Sequence, residues 1–317
     1  MNTNTSQFRW KNFDLNTELH VAGSFIYEGI NLIDRLSQLR FEDEYFQFLY
    51  NISVGIERLE KVAYLLVAHK AGEETPSTKW KKHDHPKLYE LINLHTDFIL
   101  ENRERVFLKL LKDFYIEGRY DRFNYNTNIS TSSKDKDLLI KFLINFLNVK
   151  PNDFFGNERI IFLPQELKNV IGEVIGCIVL PLYDLINDTA SALGLYTYEI
   201  RYGSKAYKIF IEKEFSFNTE HIAEREVLIK LINSNWESDE FIEQIKNIQP
   251  LEIEQLSTDS YIGYVMNYSL YPDVKDEIIQ IYEDEELESR SKQIEFIGEE
   301  FIYNDDEDND EDDGDYE

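Results

Sequence analysis

Between positions 49 and 66, Leu49, Ile52, Ile56, Leu59, Ala63 and Leu66 recur every three or four residues. That spacing draws one apolar stripe along an α-helix, and such a stripe must be buried against a core. A second segment, 17–39, repeats Leu19, Phe25, Ile26, Ile30 and Ile33 in the same way. The polar stretch Arg40-Phe-Glu-Asp43 separates the two. Helix packed on helix is therefore the architecture this chain is built for.

The pattern continues downstream. Pro86 suits the first turn of a third helix, where its missing N–H costs nothing. Helical spacing then runs to about Tyr115, broken near Asn102, with Phe107, Leu110, Leu111 and Phe114 as its apolar face and Gly118 as its stop. Further helices are expected over 135–148, 164–193 (with Pro181 as a kink), 220–233 and 273–289. The stretch 206–215 reads equally as a strand or an extended arm. Gly72–Thr78 and Asn124–Ser133 have the composition of loops. The expected fold is mainly α: an antiparallel bundle over 1–150, a helical extension over 151–290 that packs on or continues it, and an acidic, disordered tail over 291–317.

Charge narrows the partners. The chain carries a formal −28, and residues 299–317 hold twelve Asp or Glu and no Lys or Arg. Such a run repels itself and buries too little to fold. It reads as a solubilising end or as a nucleic-acid mimic that competes for a basic surface on this protein or a partner. The 42% hydrophobic content is enough for a sizeable core. Cys177 is the single cysteine, so no disulfide framework exists, and it reads as a buried, inert thiol in a reducing compartment. The polar N-terminus has no signal-peptide core. The longest uncharged apolar run, Val174–Tyr183, falls short of the roughly 20 residues that span a bilayer. A cytoplasmic protein without a membrane span is expected, and Gly172-x-x-x-Gly176 reads as close packing within a core helix.

Three segments then carry a resemblance. Glu57-Arg-Leu-Glu-Lys61 is followed by apolar Val62–Leu66; next comes Lys82-His-Asp-His-Pro-Lys-Leu-Tyr-Glu-Leu91; last is Phe114-Tyr-Ile-Glu-Gly-Arg-Tyr-Asp121. In that order they resemble the HEPN family: its Glu-x-x-x-Lys helix, its Lys-x-His segment at a helix start and its Tyr-x-x-x-Arg-Tyr helix end. The resemblance covers about 65 residues and does not reach residues 150–317. It implies a HEPN-like helical bundle that dimerises through these helices and works on RNA or nucleotides. Members of that family include ribonuclease toxins, parts of toxin–antitoxin and phage-defence systems, and inactive RNA-binding or scaffolding forms. Active members carry an Arg followed four to six residues later by a His. None of the six histidines here (20, 69, 83, 85, 95, 221) stands so, and the nearest pattern, Arg119-Tyr-Asp-Arg-Phe-Asn124, ends in Asn. Asn cannot shuttle a proton.

Local charge singles out the same region. Residues 79–122 hold ten Lys or Arg against eight Asp or Glu. Arg105, Lys109 and Lys112 share a helix face, which Arg119 extends. With Tyr120 and Arg122 they form a basic, aromatic strip suited to phosphate and base contact. The bland alternative is a solvated face paired with Glu101, Glu104 and Asp113. His83, Asp84 and His85, with His69 and His95, are a weak zinc signal, and no metal or cofactor is expected. The reading is an RNA- or nucleotide-binding homodimer in which Arg119 and Lys109 hold phosphate and His85 is the proton shuttle. Its rival is a non-enzymatic scaffold whose acidic tail contacts a basic partner protein.

Overall fold

The computed structural model of the 317-residue chain describes residues 10–73, 80, 83–119, 134–150, 152–154, 158–195, 200–233, 240–267, 271–281 and 284–297. The loops expected at 74–78 and 124–133, and the acidic run 299–317, lie outside them. The chain divides into two compact units, 1–234 and 235–317.

Helix α1 (Leu15–Arg35) enters from a π-turn at Trp10–Asp14, and a two-residue strand β1 (Gln38–Leu39) leads into helix α2 (Glu42–Lys70). Glu44, three residues into α2, accepts from the backbone N–H of Arg40 (2.7 Å) and of Phe41 (2.9 Å), which satisfies donors the helix start leaves open. The periodic residues of both helices are buried except Phe25, which is half-buried: Leu19, Ile26, Leu49, Ile52, Ile56 and Leu59 are all 0% exposed. Each contributes on the order of 1.5–3 kcal/mol of transfer free energy. Glycines set the closeness of the crossing. A Cβ on Gly55 would lie 2.6 Å from Ile26 Cγ1, and one on Gly29 would lie 2.6 Å from Ile52 Cδ1. Position 29 meets 52, 26 meets 55, and Glu18 pairs with Arg58, so the two helices run antiparallel.

Helix α3 (His85–Asn93) packs on α2 and buries Leu88, Leu91 and Ile92, and helix α4 (Asn102–Asp113) adds Phe107, Leu108, Leu110 and Leu111. A π-turn, Phe114–Gly118, prolongs α4. Helix α5 (Lys134–Leu147) packs Phe142 on Phe107 with ring centroids 5.1 Å apart. Strands β2 (Asn152–Phe154) and β3 (Glu158–Phe162) complete a small antiparallel sheet in the order β1-β3-β2, with Leu39 opposite Ile161.

Helix α6 (Gln165–Ala192) contains Pro181 and buries Ile171, Val174, Ile175, Ile178, Leu182 and Ile186. Among the described residues it is the one helix long and apolar enough to cross a membrane by length and composition. Gly172 does allow a close approach: a Cβ there would lie 2.1 Å from the Phe215 carbonyl oxygen, so the neighbour is a loop backbone and not a second helix. Cys177 is exposed on this helix, and not buried as the sequence led one to expect, because it falls on the solvent-facing side with Glu173 and Pro181. The stretch left open between strand and arm contains helix α7 (Lys205–Phe210), capped by Ser204, whose hydroxyl accepts from Tyr207 N at 3.1 Å. Helix α8 (Asn218–Asn233) closes the unit.

The second unit holds helices α9 (Glu240–Lys246), α10 (Thr258–Met266), α11 (Pro272–Ile281) and α12 (Asp284–Ile294). The single helix expected over 273–289 is thus two. In this unit Glu277 is buried and accepts from the Tyr261 hydroxyl (2.8 Å) and from Gln255 N (2.9 Å).

Candidate functional site

One polar face of α2 organises the site. Ser53, Glu57 and Glu60 stand at i, i+4 and i+7 and so share one face of the helix. All three are buried. Against them lies the start of α3, where Asp84 has a broadly extended backbone (φ −135°, ψ 85°). Alternation along an extended segment sends His83 and His85 to one side and Asp84 to the other. His83 Nδ1 donates to Glu57 Oε2 at 2.7 Å, and His85 Nδ1 donates to Glu60 Oε2 at 2.7 Å. Asp84, facing away, caps α3 by accepting from Lys87 N (3.2 Å) and pairs with Lys112 on α4 (3.2 Å).

The two histidines differ in what remains open to them. His85 is 0% exposed, and its Nε2 accepts from Ser53 Oγ at 3.0 Å, so both ring nitrogens are engaged inside the core. The His83 side chain is 47% exposed. With Nδ1–H held by a carboxylate, its Nε2 is the lone-pair nitrogen, the arrangement a general base needs. His83, rather than the His85 expected from the sequence, is the imidazole of this pair that solvent and solutes can meet.

The π-turn brings the third element. The N–H of Arg119 donates to the Phe114 carbonyl, five residues back, and such widened turns recur at functional sites. The Arg119 guanidinium carbon lies 4.0 Å from the Tyr115 ring centroid, and the His83 ring lies 4.4 Å from the same ring. Tyr50 stacks on Tyr115 at 6.4 Å and 14°, and Phe46 stacks on Tyr50 at 5.9 Å and 7°. The result is a row of partly exposed rings with a guanidinium against it. Beside it, Lys61 bonds Glu57 and lies 6.0 Å from the Trp80 ring.

Electrostatics separate the two carboxylates. Burial pushes Glu57 up, but the hydrogen bonds from Lys61 and His83 outweigh it and hold the group below the ordinary carboxylate value. Burial dominates at Glu60, which lies above that value although His85 pulls it down. Tyr115 is raised, first by burial; Glu57 adds to this and Arg119 opposes it.

The expected basic strip is present as a helix face, and its members have acidic or carbonyl partners. Arg105 Nε donates to the Glu101 carbonyl (3.4 Å), Lys109 pairs with Asp113 (3.1 Å), and Lys112 pairs with Asp84 (3.2 Å). Arg105 and Lys109 are exposed, and Lys112 and Arg119 are half-buried. Tyr120 and Arg122 lie outside the described residues. Glu60 and Ser53 were not among the site residues expected from the sequence. The signal that finds them is three polar residues at i, i+4 and i+7 on the face beside the apolar stripe. Among the described residues no three His, Cys, Asp or Glu side chains converge on a metal-binding position. Comparison with protein-family models, curated proteins and solved structures finds no match to this chain.

Proposed function

We propose that this chain is a HEPN-like RNA- or nucleotide-binding protein of a bacterial defence or toxin–antitoxin system, acting in the cytoplasm as a homodimer. The observation that carries the reading is that His83 and Arg119 contact one aromatic ring, Tyr115. The proton-transfer group missing from the linear Arg-to-His spacing is thus supplied in space by the neighbouring helix start. Arg119 holds a phosphate oxygen as a charge-assisted donor, and Lys112 adds a second positive charge from α4. The partly exposed row of Phe46, Tyr50 and Tyr115 is the aromatic surface a base would meet, a contact worth about 1–3 kcal/mol per base. His83, oriented by Glu57, is the group able to take a proton from a ribose hydroxyl.

The test uses the purified full chain with a fluorescein-labelled, mixed-sequence RNA at low salt, read by anisotropy and on a denaturing gel. Arg119→Ala and His83→Ala are run in parallel. The reading requires binding by wild type and its loss with Arg119→Ala. Any cleavage must vanish with His83→Ala. A wild-type protein that neither shifts nor cuts RNA, and shows no saturable binding of ATP or GTP, ends it.

A further inference from the structure

Resting on the reading above, we propose that Ser53, Glu60 and His85 form a buried positioning clamp that sets the place and tautomer of His83. The clamp is a three-point arrangement. The His85 ring is held at both nitrogens by one helix: Nδ1 to Glu60 Oε2 (2.7 Å) and Nε2 to Ser53 Oγ (3.0 Å). Those two partners stand seven residues apart, two turns of α2, with Glu57 between them on the same face. A ring held at both ends in this way has little freedom to slide along α2 or to turn about its own axis.

His85 is also the first residue of α3 and precedes Pro86, whose fixed φ stiffens the chain there. His83 lies two residues upstream across one extended residue, a separation of about 6.5 Å on the same side. Fixing His85 therefore fixes where His83 arrives on α2, and it arrives at Glu57. The 2.7 Å bond to Glu57 then selects the Nδ1–H form and leaves Nε2 as the lone-pair nitrogen. Asp84 works from the opposite side, tying the same residues to Lys112 on α4, the helix that leads into the π-turn with Tyr115 and on to Arg119. None of the three clamp residues touches the ligand surface: their side chains are 1% exposed or less.

A polar network that merely filled the core would stabilise the fold without controlling His83, and that difference is measurable. The variants are Glu60→Gln, which keeps shape but weakens the bond to His85, and Ser53→Ala, which removes one anchor. His85→Asn offers one donor and one acceptor, and His85→Leu offers neither. The readouts are the thermal midpoint, the ring nitrogen shifts of His83 by NMR on the full chain, and RNA binding by anisotropy. The expected result is that Glu60→Gln and Ser53→Ala remain folded and yet move the His83 ring nitrogens toward an equal mixture of tautomers. RNA binding then weakens about tenfold for Glu60→Gln, and His85→Asn retains more of it than His85→Leu. Folded variants with wild-type His83 shifts overturn the clamp, whatever the RNA does. His83 shifts that move in a chain that binds no RNA uphold the clamp and remove only the functional reading. Should Glu60→Gln fail to fold, Ser53→Ala and His85→Asn decide by the same two outcomes.

Discussion

The Arg119 guanidinium lies over the Tyr115 ring with its carbon 4.0 Å from the ring centroid. The contact ties Tyr115 in the π-turn to Arg119, the residue that follows the turn, and faces the guanidinium with an aromatic surface. Removing the ring and removing only its hydroxyl therefore have different consequences. Tyr115→Phe is expected to hold RNA within about twofold of wild type, and Tyr115→Ala to lose about tenfold, the scale of one stacked base. Anisotropy titrations of the two variants at one salt concentration check this.

The strip on α4 makes a separate prediction. Arg105, Lys109 and Lys112 share one face, and phosphate contacts made by such groups release counterions. Each of Arg105→Ala and Lys112→Ala is expected to lower the slope of log K against log salt by about one and to leave sequence preference alone. Removing Asp113, the partner of Lys109 at 3.1 Å, is expected to tighten binding. Slopes unchanged in both alanine variants would take the strip out of the interface.

Glu57 and Glu60 give opposite pH dependences to stability. Glu57 is held below its ordinary 4.5, so its stabilisation is present above 4.5 and is lost as pH falls through the folded value. Glu60 lies above 4.5, so stability is fully present below 4.5 and declines as pH rises through its folded value. Urea melts across that range are expected to flatten on the acid side in Glu57→Gln and on the neutral side in Glu60→Gln. The same slope in both variants and wild type would contradict the assignment.

Close packing at Gly172 sets a steric expectation. A methyl there would meet the Phe215 carbonyl oxygen at 2.1 Å, and backbone cannot swing aside. Gly172→Ala is expected to cost about 1–3 kcal/mol despite the better helix propensity of Ala. Gly118→Ala meets nothing nearer than 3.5 Å and is expected to be close to neutral. Thermal melts of the pair test the contrast.

Cys177 is exposed, yet its thiol is raised, first by desolvation and then by Glu104 and Glu173, with Arg103 opposing. Alkylation of the native chain is expected to be slow near neutral pH and to accelerate above pH 9.0, the ordinary value for a thiol. Arg103→Ala should slow it further. A fast reaction at pH 7 would show the thiol to be activated.

The helices α1, α2, α4, α5 and α6 follow from the amino-acid sequence alone, because apolar residues at 3.6-residue intervals are a local property that each segment displays by itself. The Glu57–Lys61 pair is legible for the same reason, four residues apart on one helix. Helix α7 is not, since Tyr207, Ile209 and Ile211 alternate like a strand and the Ser204 cap decides the matter. Neither is the site. His83 and His85 are chemically alike in the sequence, and only their meeting with Glu57, Glu60 and Ser53, 25 to 32 residues away, buries one and leaves the other half-exposed. Periodicity reports which face of a helix turns inward; which distant residue waits there is decided when helices pack and each buried polar group must find a partner.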